Sequence, residues 1–87
     1  MLEKTIEKNC VKWAESKGWL SYKFVSPSNR GVPDRIFLRN GKTVFVEFKK
    51  PGGETSALQV RQIEKIKSYD FKVFIIDNLR SFQIAFT

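Results

Sequence analysis

The sequence predicts an α/β domain: a helix, three antiparallel strands, a second helix and a fourth strand, with a short strand favoured for the tail. Three observations carry that prediction. Asn40-Gly41 stands between two apolar-rich runs, the strongest short-range signal for a hairpin closed by a two-residue type I′ turn. Apolar residues recur at helical spacing in two places, through Leu2, Ile6, Cys10 and Trp13 and again through Leu58, Ile63 and Ile66. A continuous apolar run from Phe71 to Ile76 follows the second of these, and a strand, helix and strand in that order form a right-handed crossover with the two strands parallel.

The first helix covers residues 2–17, with Val11 and Ala14 widening its apolar stripe and Gly18 stopping it. Glu3 and Glu7 share a face, and Glu7 lies at the border of the buried stripe, in line with Val11 and Ala14. A carboxylate there either reaches inward or is an ordinary solvated helix charge. Trp19 to Val25 is the first strand, Leu20, Tyr22 and Phe24 alternating against Ser21 and Lys23. Ser26 to Gly31 is a loop by composition, in which Arg30 suits a phosphate and Gly31 permits close approach. Pro33 lacks an amide donor and so opens the central hairpin at the first position of a strand.

Lys50-Pro51-Gly52-Gly53 ends the hairpin, and Ser56 with Gln59 forms a capping-box pattern for a helix from about Ser56 to Ser68. Phe71 to Ile76 reads as a strand buried on both faces. In the tail Phe82, Ile84 and Phe86 alternate with Gln83 and Ala85, the period of a strand.

A length of 87 residues allows one domain, 1–87, near the lower limit for burying an adequate core unaided, a shortage that oligomerisation relieves. Sixteen Lys and Arg against nine Asp and Glu leave a net charge of +7, which favours a polyanionic partner, nucleic acid first; a basic surface serving solubility is the alternative. There is no histidine and one cysteine, which excludes Cys/His zinc sites, histidine-based nucleophilic triads and internal disulfides. Any metal is therefore held by oxygen, and Cys10, on the apolar side of the first helix, is a core residue. The N-terminal stretch lacks a signal-peptide apolar core and no run reaches membrane-span length, so an intracellular, cytoplasmic protein of a bacterial or virus-infected cell is expected, without a membrane.

The turn at Asn40-Gly41 sets the register of the hairpin. With Arg39 facing Lys42, Leu38 meets Thr43, Ile36 meets Phe45 and Asp34 meets Glu47. Two carboxylates then stand roughly 4.5–5.5 Å apart at Cβ, which is destabilising unless a cation neutralises them. Lys49 lies on the same face, two residues beyond Glu47. With oxygen ligands only, the natural cation is Mg²⁺, with Mn²⁺ in its place, and Lys49 would then orient or deprotonate a water or stabilise charge on a phosphate. The bland reading is a structural ion pair in which Lys49 bridges the two acids.

Pro33-Asp34 followed by Glu47-Phe48-Lys49, between a Glu-bearing helix and a second helix, resembles the PD-(D/E)XK nuclease superfamily, with its mixed sheet. The fuller string GVPDRIFL, VFVEFKKPGG and S-x-x-Q, with IEK in the first helix and YKF in the first strand, resembles more narrowly the virus-type replication-repair nuclease (VRR-NUC) domain. The resemblance implies a single minimal nuclease domain: a metal-dependent endonuclease that hydrolyses phosphodiesters in DNA, related to Holliday junction resolvases, with branched or structured DNA as partner and a homodimer as the working form. It makes Asp34 and Glu47 metal ligands with the Phe48 carbonyl, and Lys49 the catalytic lysine. It adds Glu7 as the helix residue that completes the site, ahead of Glu3. Gln59 matches the family's glutamine in the second helix and equally fits the third helical position of the capping box. Lys23, Arg30, Arg35, Lys50 and Arg61 are the candidate DNA contacts. The rival is a non-catalytic DNA-binding module on the same fold.

Overall fold

Seven elements follow one another along the chain: α1 (Glu3–Ser16), β1 (Leu20–Lys23), β2 (Arg35–Arg39), β3 (Lys42–Phe48), α2 (Ala57–Lys67), β4 (Lys72–Ile76) and α3 (Leu79–Ala85). The computed structural model describes residues 2–87. The sheet runs β1-β2-β3-β4, antiparallel through the first three strands and parallel between β3 and β4, as the hairpin and crossover signals require. The turn takes left-handed backbone at both Asn40 (φ 50) and Gly41 (φ 78), the conformation a type I′ turn demands. Its register is the predicted one, with Arg39 opposite Lys42, Leu38 opposite Thr43 and Ile36 opposite Phe45.

Alternation along β3 divides the molecule in two. Val44, Val46 and Phe48 face α1 and α3, where they join Phe37, Ile76, Ile6, Cys10, Ala14, Phe82 and Phe86 in one closed core. Cys10 is fully buried there, and burial, with Glu7 nearby, pushes its thiol up to about 12, so it behaves as a small apolar residue. Phe45 and Glu47 face the other way, toward α2, and this second layer is thin. Ile63 and Val73 are buried, but Tyr22 (59% exposed) and Ile75 (50% exposed) are largely in solvent.

The structure corrects the sequence reading in four places. Residues 79–85 form a helix where a terminal strand is expected. Asn78 caps it, its side-chain oxygen accepting Ser81 N–H at 2.8 Å, and Phe82 and Phe86, one helical turn apart, both enter the core while Ile84 points out. The α2-facing side of β4 is covered only in part, Val73 being buried there while Ile75 is left 50% exposed, so the strand is not buried on both faces. Leu58 is 47% exposed because Gln59, its neighbour, turns inward to polar partners, and a helix rotates about 100° per residue. Leu2 precedes the first helical turn as its N-cap and lies outside the apolar stripe.

Candidate active site

β2 and β3 diverge just past the Arg35–Val46 pair, and the polar groups gather at that opening. Asp34 is the residue before β2. Its carbonyl accepts Phe24 N–H at 2.8 Å, which holds the chain beside β1, and its Oδ2 accepts Phe48 N–H at 2.9 Å, which pins the carboxylate to the backbone of β3. Glu47, one residue earlier on β3, is 3% exposed and is the one buried charged side chain among the described residues. The hairpin therefore brings the two acids together, as its register predicts, with Asp34 bound to main chain beyond the last ladder pair.

A base and an amide complete the cluster. Lys49 Nζ lies 3.4 Å from Glu47 Oε2 and donates to Gln59 Oε1 at 2.7 Å. Gln59 Nε2 in turn donates to Glu47 Oε2 at 2.7 Å. The same Gln59 Oε1 accepts Ser56 N–H at 2.9 Å, while Ser56 Oγ accepts Gln59 N–H at 3.2 Å. The two readings of Gln59 hold together: one side chain closes the capping box of α2 and joins the charged cluster.

Electrostatics mark the site as short of positive charge. Burial, then the Asp34 charge, push the Glu47 carboxyl up to about 7, with Lys49 pulling the other way. Burial raises Asp34 as well; the Phe48 N–H bond opposes it, and the charges of Glu7 and Glu3 add to it. Glu47 Oε1 is buried without a hydrogen-bond partner among the described residues, an orphaned acceptor beside a second carboxylate. An all-oxygen donor set with one lone acceptor fits a hard divalent cation. Among the described residues no three acidic or cysteine side chains converge as a metal cage, so the fit is to two carboxylates completed by main-chain and substrate oxygens.

The remaining predicted residues lie at various distances from this centre. Glu7 looks into a cleft between α1 and β2 that Glu3, Lys23, Asp34 and Arg35 also line. Its Oε2 is taken by Arg35 Nε at 2.7 Å, with Lys23 Nζ at 3.8 Å, so the structure ties Glu7 to two cations predicted as DNA contacts. The β1–β2 register explains this, because Lys23 and Arg35 are cross-strand partners on the α1 side of the sheet. Arg30, Lys50 and Arg61 are exposed and outside the network. Sequence reasoning missed the Arg35–Glu7 pair, which has no local signal, whereas the capping box it expected between Ser56 and Gln59 is present.

No family model matches the chain. A solved structure described as a VRR_NUC domain superposes with a TM-score of 0.85 over 93% of this chain and 89% of that one, at 24% identity, and shows the fold. Among known sequences, "Putative nuclease p44" of Acyrthosiphon pisum secondary endosymbiont phage 1 is 42% identical over 77 residues, covering 87% of this chain and 83% of that protein. With that identity over nearly the full length of both proteins, and with the VRR_NUC fold, the chain belongs to the VRR-NUC family of nucleases.

Proposed function

We propose that the protein is a Mg²⁺-dependent DNA endonuclease, with Mn²⁺ able to substitute, acting on branched or structured DNA as a homodimer. The observation that carries the reading is the Glu47 carboxylate: Oε2 is held by Gln59 and Lys49, while Oε1 is buried, unpaired and beside Asp34. Asp34, Glu47 and the Phe48 carbonyl would hold the ion, with Glu7, oriented by Arg35, on the α1 wall of the cleft. When bound, the ion would polarise the scissile phosphate and lower the pKa of an attacking water.

The chain's own groups do the rest. Asp34 and Glu47 are fixed in place before substrate arrives, one by a main-chain N–H and the other by an amide, so little reorganisation is needed. Lys49 has three donors; Gln59 and Glu47 engage one side of the ammonium, and the rest can meet the phosphate oxygens as negative charge grows on them. Water oxygen bonds to phosphorus as the bond to the 3′ oxygen breaks, leaving a 5′ phosphate and a 3′ hydroxyl. Lys23, Arg30, Lys50 and Arg61, all exposed, are placed to meet flanking phosphates, and Arg35 is assigned to Glu7.

Support for a dimer comes from edge strand β1, where Leu20 and Tyr22 are exposed on the α2 face of the sheet of an otherwise basic molecule. Incubating purified protein with linear, nicked, flapped and four-way DNA plus Mg²⁺, beside Lys49→Ala, tests the activity. Cleavage lost in the variant is expected; identical products from both proteins would overturn the assignment.

A further inference from the structure

We propose that Gly31 is a positioning residue, acting through the first turn of α2 to set the Glu47–Gln59–Lys49 network. Its catalytic consequence rests on the nuclease reading, whereas its cause rests on geometry alone. Gly31 has left-handed backbone, φ +87, and a Cβ built on it would lie 2.9 Å from both C and O of Leu58 and 3.1 Å from N of Gln59. Those are main-chain atoms in a helical turn. They cannot swing aside as the end of a flexible side chain would, so the turn itself would have to move.

The peptide that Gly31 touches is the one that aims Gln59. Its N–H is the donor to Ser56 Oγ, at 3.2 Å, and the side chain it carries spans Lys49 and Glu47 with two contacts of 2.7 Å. On the other side, Gly31 leads through the buried Pro33 to Asp34, whose carbonyl is tied to Phe24 N–H. The segment that carries one acid is therefore pressed directly against the turn that grips the other, with no side chain between them. Adding a methyl group there pushes α2 away from Asp34 and lengthens hydrogen bonds that weaken beyond about 3.2 Å.

A control for backbone strain exists in the same molecule. Gly41 is also left-handed, φ +78, yet a Cβ there meets nothing within 4 Å. Gly41→Ala imposes the backbone strain without the clash.

The test compares Gly31→Ala, Gly41→Ala and Gln59→Ala in ¹⁵N-labelled full-length protein, by the side-chain amide resonances of Gln59 where present and by single-turnover cleavage. In Gly31→Ala the Gln59 amide resonances move and the maximal rate falls about 100-fold with KM unchanged, the size expected of a misplacement near 1 Å. In the double variant Gly31→Ala/Gln59→Ala the rate is no lower than in Gln59→Ala alone. Gly41→Ala keeps wild-type resonances and rate. If Gly31→Ala fails to fold, Gly31→Asn is read in its place: asparagine tolerates left-handed backbone better than alanine and carries the same Cβ, so the same resonances move and the rate falls, and wild-type resonances and rate would overturn the proposal. Gln59 resonances and rates in Gly31→Ala that match Gly41→Ala, or additive losses in the double variant, would overturn the proposal. Should the wild type cleave no DNA, the nuclease reading fails, and the resonances still decide whether Gly31 positions Gln59.

Discussion

The side-chain amide of Gln59 joins Lys49 to Glu47, accepting from Lys49 Nζ at 2.7 Å and donating to Glu47 Oε2 at 2.7 Å. It bridges a base and an acid that already stand within ion-pair distance, Lys49 Nζ lying 3.4 Å from Glu47 Oε2. Gln59→Ala should let Lys49 collapse onto Glu47 and lower the cleavage rate about 10–100-fold, the usual cost of losing a group that orients ligands. Gln59→Glu should be worse, since it sets a third carboxylate beside Glu47. Rates at saturating DNA for the two variants check the order.

A second prediction follows from the raised Glu47 carboxyl. Folded, metal-free protein keeps a proton on Glu47 up to about 7, whereas the unfolded chain loses it near 4.5. The folded state therefore binds more protons over that window. This group's stabilising contribution is present in full below the unfolded pKa and is lost as pH rises through the folded one. Melting in the presence of a chelator should show stability falling from pH 4.5 toward pH 8, on the order of 2 kcal/mol or roughly 10 °C in Tm. Glu47→Gln should flatten this profile, and Mg²⁺ affinity should rise with pH over the same range.

Arg35 should behave as a structural partner of Glu7 and Lys23, Arg30, Lys50 and Arg61 as DNA contacts. Arg35→Ala leaves the partly buried Glu7 carboxylate with only the longer Lys23 contact, and should destabilise the fold by about 1–3 kcal/mol. It should leave the salt dependence of DNA binding unchanged. Arg61→Ala should barely affect stability and reduce the slope of log affinity against log salt by about 1. Chemical denaturation and binding at several salt concentrations separate the two behaviours.

Tyr22 stands among the exposed apolar residues of the α2 side. Sedimentation should find the wild type as a dimer and Tyr22→Arg shifted to monomer with its fold intact. A monomeric wild type at micromolar concentration would remove the dimer from the proposal.

Much of this architecture was legible in the sequence because local chemistry decided it. Asn40-Gly41 fixed the turn, the turn fixed the register, and the register placed Asp34 near Glu47. Ser56 and Gln59 likewise announced the start of α2. The tail misled because Phe82, Ile84 and Phe86 satisfy a period of two, while Phe82 and Phe86 also satisfy a helical turn. Tertiary packing chose the helix, stacking the two rings 4.1 Å apart in the core. Leu58 was misread for a related reason: spacing assigns a face only if the whole face is apolar, and here Gln59 claims the inward direction. The Arg35–Glu7 pair joins residues 28 positions apart, and no pattern within either segment reports on the other.

Everything proposed for the site turns on the free Glu47 oxygen and what fills it. Calorimetric titration of chelator-stripped protein with Mn²⁺ at pH 8, wild type beside Glu47→Gln, measures this. Saturable uptake by the wild type, abolished in the variant while the variant's fold and metal-free stability are retained or improved, is the expected result. Equal uptake by both proteins, or none by the wild type, would show that Asp34 and Glu47 do not form a metal site.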